Sequence, residues 1–350
     1  MDNQQQQALL ETIKAHYTGD IIKDMRYITD KLHGHFEALR QDEAFRKVLE
    51  DMLIAQYPEN RNTITEMWRD LSLRSDDEFI MRMFGLVDDD QAPQAQFQMN
   101  LFIWMMEAEF RQFKPKFNEK YLSIYDDIDL FEFNLHESPE MELRVTDRNY
   151  AGIYITYAKI LLAANEWQEA AEAYQQALLW NPYDVRTIFD LAALYQQLNQ
   201  YGMSYATTLN GLKYAIRPQD LARGFNYLGN FYRKKEEDHV AYGFYQLSHY
   251  WQPMQSVSEQ LAALNHLKGD AELDLEEDGA ARAFLARYNI GSYPNLHHLN
   301  ALKAFASRMY VAGQYSAAYT YYSLYHDLLR DKESGVEDLL AEIEAKLAKE

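Results

Sequence analysis

Four groups of side chains in this sequence carry atoms that could do chemistry. His33 and His35 flank Gly34, and His297 adjoins His298. Imidazole pairs bind transition metals, but a site needs three or four converging donors with support behind them. Neither pair has a third donor close in sequence, so surface or interhelix histidines are expected, and no metal. The Asp88, Asp89, Asp90 run lacks the spaced oxygens and the glycine of a calcium loop, and reads as a solvated turn or helix cap. Asp126, Asp127 and Asp129 could divide acid and base work between them, yet nothing points to an apolar pocket that would tune one of them. The chain has no cysteine, which removes thiol chemistry and disulfides and leaves serine, threonine or a carboxylate as nucleophile. It contains no phosphate-binding glycine loop, no Gly-x-Ser-x-Gly elbow and no His-Glu-x-x-His helix. The expectation is a protein that is not an enzyme and carries no cofactor.

The elements that hold these residues are expected to be helical. The 350 residues include eight prolines and fourteen glycines, too few turn residues for many short strands. Hydrophobic residues make up 47% and charged residues 25%, as in folded globular chains. The net charge of −20 argues against nucleic acid and anionic membranes as partners. The polar, glutamine-rich start lacks the basic and apolar stretches of a signal peptide. The longest apolar run, 101–106, is far shorter than the roughly 20 residues that cross a bilayer. A cytoplasmic protein is expected. With Phe97, Phe110 and Phe113, that run reads as a core helix, the alternative being a methionine-rich groove for a partner helix.

Composition divides the chain near 136–149. Five of the 27 tyrosines precede residue 150, and ten of the 13 methionines do. The first part, 1–149, reads as mostly helical, with helices over 4–17, 21–39, 42–56, 61–71, 77–84 and 94–113. Around the Ser138-Pro139 turn, Leu130, Phe131, Phe133 and Leu135, then Met141, Leu143 and Val145, alternate with polar residues. Residues 130–145 are therefore either a short β-hairpin or a helix end with a linker.

The second part, 150–330, repeats. From Ala151, the residues Tyr154, Tyr157, Ala158, Leu161, Ala170, Tyr174, Ala177 and Pro182 fall at positions 4, 7, 8, 11, 20, 24, 27 and 32. A second copy places Leu191, Ala192, Tyr195, Tyr201 and Ser204 in the same frame, with Pro218 arriving two residues late. A third has Phe225, Leu228, Gly229, Tyr232, Ala241, Tyr245 and Pro253. A last one has Leu302, Phe305, Ala306, Gly313, Tyr315, Ala318 and Tyr322. Small residues at 8 and 20 let paired helices approach, and large ones fill the space between pairs. This pattern resembles the tetratricopeptide (TPR) repeat superfamily. Repeats are assigned to 151–184, 185–218, 222–255 and 299–332, with a degenerate one over 256–290, and 333–350 resembles a capping helix. The resemblance implies an all-α fold, a right-handed solenoid of helical hairpins preceded by a helical region. The whole arrangement is similar to bacterial tetratricopeptide proteins, a likeness that implies no activity.

In that superfamily, ligands lie along the groove lined by positions 2, 5, 9, 12 and 13 of the first helices. In the four clear repeats those positions hold Lys159, Arg186, Phe189, Arg223, Asn226, Asn230, Arg233, Lys234 and Lys303 among others, and no acid. A mildly basic groove in an acidic chain fits an acidic or carboxylate-bearing peptide or partner protein. Asn226 and Asn230, one turn apart, could clasp a peptide backbone. The alternative is that these charges pair with Asp190 and its neighbours. The clamp for chaperone tails is absent: Ile155, Asp190 and Tyr227 stand where it needs lysine, asparagine and arginine. Two functions follow. One is a non-catalytic scaffold. The other is a peptide-regulated effector whose N-terminal helices act on or sequester a second protein, organised like bacterial quorum-sensing receptors but without a basic helix-turn-helix in residues 1–70. The sequence leaves the oligomeric state open.

Overall fold

A computed structural model describes residues 3–32, 42–62, 64–65, 76–110, 113–269, 272–275, 279–330 and 334–348 of the chain. Among them the fold is all-α, with TPR-like helical hairpins and one short two-stranded sheet. The chain forms two compact units, Met1–Tyr125 with Pro139–Pro182, and Asp126–Ser138 with Tyr183–Glu350. Composition changes near residue 149, whereas these units interleave along the chain.

The first unit begins with α1 (Asn3–Lys14), α2 (Ile21–Leu32), α3 (Glu43–Gln56), a 3-10 turn (Pro58–Asn60), α4 (Asp76–Asp88) and α5 (Ala92–Glu109). The expected helices over 21–39 and 61–71 fall partly outside the described residues, as do His33 and His35. Ile13, Met25, Ile28, Leu32, Leu49 and Leu53 build one core. Within it Asp24, 1% exposed, accepts hydrogen bonds from the Thr18 amide and hydroxyl and from the Tyr57 hydroxyl. Burial alone would raise its pKa; the bonds from Tyr57 and Thr18 outweigh that and hold it below the ordinary 3.8.

A second core gathers Phe79, Met83, Met99, Ile103 and Met106 with Tyr150, Ile153 and Tyr154. Met99 and Met106 of α5 are thus interior packing, and these two side chains form the expected core helix, not the groove. The hairpin of α7 (Tyr150–Ala163) and α8 (Trp167–Trp180) closes this core, with the Tyr150 ring packed at a 39° tilt against Trp180, ring centres 4.6 Å apart.

The passage around 130–145 differs from a β-hairpin. Residues 127–136 are a helix, α6 (Asp127–His136), started by the Asp126 carboxylate accepting from the Ile128 amide at 2.8 Å. The strand after Pro139 is real, β2 (Glu142–Val145), but its partner is β1 (Glu119–Leu122), and the two are parallel, Glu119 opposite Glu142 and Leu122 opposite Val145. Parallel strands cannot be joined by a tight turn and need a crossover; here the intervening chain runs through α6. The alternation that looked like a strand arises because α6 buries Ile128, Phe131, Glu132 and Phe133 together, a face too wide to leave a clean helical period.

The second unit continues with α9 (Val185–Gln197) and α10 (Tyr201–Tyr214), α11 (Pro218–Lys234) and α12 (Asp238–Trp251), α13 (Gln255–Ala263), a 3-10 turn (Asn265–Leu267), α14 (Ala280–Arg287), the hairpin α15 (Leu296–Val311) and α16 (Tyr315–Leu329), and α17 (Glu337–Leu347). Pro218 does not end a helix late. It opens α11 at the first position, where a missing N–H costs nothing.

The four hairpins share one turn. Asn165, Asn199, Glu236 and Gly313 each take a left-handed φ, between 58° and 76°. In each, the following amide donates back into the first helix: Glu166 to Leu161, Gln200 to Tyr195, Glu237 to Tyr232 and Gln314 to Met309. This closes the helix C-terminus in the six-to-one manner that favours glycine or asparagine. The small positions lie where the paired helices meet: Ala158, Ala170, Ala192, Ser204, Ala241, Ala306 and Ala318 have no exposed surface. At Gly229 a methyl group would stand 2.5 Å from the Tyr245 ring.

Two stability outcomes follow. Gly229→Ala is expected to cost about 1–3 kcal/mol through overpacking, whereas Gly85→Ala, in an exposed stretch of α4 with nothing within 4 Å, is expected to gain about 0.5–1 kcal/mol. Denaturant unfolding separates the two. Asp24→Asn is expected to lose about 2 kcal/mol at neutral pH. Because the folded-state pKa of Asp24 is depressed, its contribution exists above the ordinary carboxylate range and fades as pH falls through the lower folded value. The gap between wild type and Asp24→Asn should therefore narrow in acid; a constant gap would mean the carboxylate charge is not what stabilises the site.

Candidate functional site

The polar face of α9 and α11 is set by the close packing beneath it. With the small residues fixing how the helices sit, positions 2, 6, 9 and 12 of neighbouring first helices come side by side. Arg223 on α11 donates to the Asp190 carboxylate on α9 at 2.8 Å and to the Tyr227 hydroxyl at 3.4 Å. Its guanidinium lies 5.7 Å from the Phe189 ring centre. Burial would lower the Arg223 pKa, but Tyr227 and Asp190 hold it above its usual value. The Asn230 amide donates to Gln196 Oε1 at 2.9 Å and its oxygen accepts from the Tyr245 hydroxyl at 2.8 Å. Gln196 in turn donates to the Tyr227 carbonyl at 3.2 Å. These bonds form a ladder across the two helices.

The ladder accounts for the missing acids. Arg186 reaches Asp126 at 3.4 Å, Arg217 reaches the same carboxylate at 4.0 Å, and Arg233 pairs with Asp238 at 2.6 Å. The partners come from position 6, from the start of the second helix, and from the residue that caps α6. None lies at the five positions read from the sequence, so the basic face is largely neutralised in place. Asp220, 4% exposed, sits beneath; burial raises its pKa while Arg217, Arg223 and Arg186 oppose the shift.

The nine predicted residues therefore divide. Phe189 has no exposed surface and is a core residue, not a groove contact; position 5 of that helix turns inward under Arg223. Asn230 is engaged at both ends of its amide, so it is not free to clasp a peptide backbone, while Asn226 is half-buried on the same helix. Arg186, its side chain 61% exposed, and Lys234, lying 5.4 Å from the Tyr201 ring, face solvent. Lys303 is exposed on α15, 5.2 Å from the Tyr325 ring. Lys159 is exposed on α7 in the first unit.

A second cluster was not expected. His298 on α15 places Nε2 3.1 Å from Glu132 Oε2, and His136, one turn along α6 from Glu132, places Nε2 3.2 Å from the same oxygen. The donors of all three lie within 4.8 Å of one another. Glu132 is fully buried and its Oε1 has no hydrogen-bond partner. Of the expected histidine pair, His298 alone takes part, and its partners Glu132 and His136 come from α6, Glu132 lying 166 residues away. Glu132 and His136 carried one signal in sequence, their four-residue spacing, which is a shared face only on a helix.

Removing both ends of the Arg223–Asp190 contact tests the ladder. A double-mutant cycle of Arg223→Met with Asp190→Asn should yield a coupling of about 0.5–1 kcal/mol, modest because both side chains touch solvent, and smaller in high salt. No coupling at low salt would remove the contact from the ladder.

No protein-family model matches the chain, and no curated protein matches it. Among solved structures it is similar to one from a functional characterization of Pseudomonas aeruginosa pilF, at 16% identity and a TM-score of 0.37, over 77% of this chain and 96% of that one. The all-α, TPR-like assignment rests on the chain's own hairpins, their shared turn and the small residues between paired helices. Among the described residues no helix is long and apolar enough to cross a membrane.

Proposed function

We propose that the chain is a non-catalytic scaffold that holds a carboxylate-bearing peptide or partner protein against the face of α9 and α11. The observation that carries this reading is the ladder itself. A row of arginine, asparagine and glutamine side chains is held in fixed geometry by neighbours rather than left to swing in solvent. Groups ordered in advance lose less entropy on binding. Each guanidinium already points at a carboxylate, so a ligand carboxylate can take the place of an internal one with the fork unchanged. Arg186 and Lys234, the most open cations of the face, are the first contacts for such a ligand. An internal exchange of this kind predicts modest affinity with strong dependence on salt.

The test uses the full chain and a set of acidic peptides, each with a free and an amidated C-terminus, followed by fluorescence polarisation. Free-acid peptides should bind more tightly than amidated ones. Arg186→Glu combined with Lys234→Glu should weaken binding by about tenfold or more, with circular dichroism checking the fold. Equal affinity for wild type and this variant would overturn the assignment of the face.

A further inference from the structure

We propose that Glu132, His136 and His298 form a binding site for one divalent transition-metal ion, zinc in the first place, which ties α6 to α15 within the second unit. Two imidazoles and a carboxylate are a donor set zinc accepts, with nitrogen and oxygen bonds of about 2.0–2.2 Å. Around a tetrahedral ion, donors bound at that length lie roughly 3.3 Å apart. The carboxylate oxygen stands 3.1 Å from one imidazole nitrogen and 3.2 Å from the other. The two edges that meet at the carboxylate oxygen are therefore already spaced as in such a tetrahedron, and the two imidazole nitrogens lie within 4.8 Å of each other.

The second observation is the state of the carboxylate. Glu132 has no exposed surface, and its Oε1 makes no hydrogen bond. A buried carboxylate with an idle oxygen is costly. Its Oε2 meanwhile faces two ring nitrogens. Neutral imidazoles turn lone pairs, not protons, toward a cation at that point, and a dication also offsets the buried negative charge. His298 is 4% exposed at its side chain, whereas His136 is 36% exposed. The site is closed on the α15 side and open past His136, which gives an ion an entry path and leaves water for the remaining position. The burial of Glu132 and His298 separates this cluster from a surface histidine such as His297, which is exposed.

The full chain, stripped with chelator and then titrated with zinc chloride in a calorimeter, should take up one ion. His136→Ala, chosen because His136 is partly exposed, should fold and bind zinc at least about tenfold more weakly. His297→Ala, one residue from the site and exposed, should bind as wild type does. Zinc should raise the melting temperature of wild type and leave that of His136→Ala unchanged. Absence of uptake by wild type, or undiminished uptake by His136→Ala, would overturn the proposal. Anomalous diffraction at the zinc edge from wild-type crystals gives a reading free of any variant: density between the three side chains supports the site, and density elsewhere alone rejects it.

Discussion

The close approach of paired helices at a small residue is the contact on which the repeat region depends. At Gly229 the Tyr245 ring rests against the backbone where any side chain would stand, and the same tyrosine reaches past it to Asn230. One aromatic side chain thus sets both the distance between α11 and α12 and the orientation of an amide on the exposed face. Interiors packed this tightly transmit position rather than absorb it. The order of the Arg223, Asn230 and Gln196 ladder therefore has its origin beneath the face, in a buried contact.

Charge on that face is organised by pairing, not by excess. An acidic chain gains little from a row of bare cations, because neighbouring carboxylates are always near. What the fold supplies instead is fixed geometry: Arg223, Arg186 and Arg233 are each aimed at a local anion. Asp220, buried under three arginines, adds to this restraint by holding part of their attraction inward.

Much of the architecture was legible in sequence because repeats multiply a weak signal. Alanine or serine at positions 8 and 20 means little once; recurring beside tyrosines in one frame, it fixes helix pairs, and those residues prove wholly buried. The signal failed where a helix buries too much of its surface. In α6, Phe131 and Phe133 are both interior, which mimics a strand's alternation and hides Glu132 and His136 as neighbours. It failed again where partners come from far away: Asp126 serving Arg186, or His298 meeting Glu132. Position 5 of α9 shows a subtler limit, since a repeat frame assigns Phe189 outward while its own bulk sends it into the core. Local spacing carries helix faces well; it carries no information on which distant residue fills the space opposite.

The parallel pairing of β1 and β2 across α6 makes the two units interlaced in the covalent sense. The chain passes from one unit to the other after Tyr125, returns after Ser138, and leaves again after Pro182. Neither unit can be excised with a single cut. A fragment starting at residue 150 would keep the α7–α8 hairpin, which belongs with the first unit, and lose α6, which belongs with the second. Recombination between related genes at the compositional border would have the same effect. A cut near residue 150 therefore divides both units rather than separating one from the other.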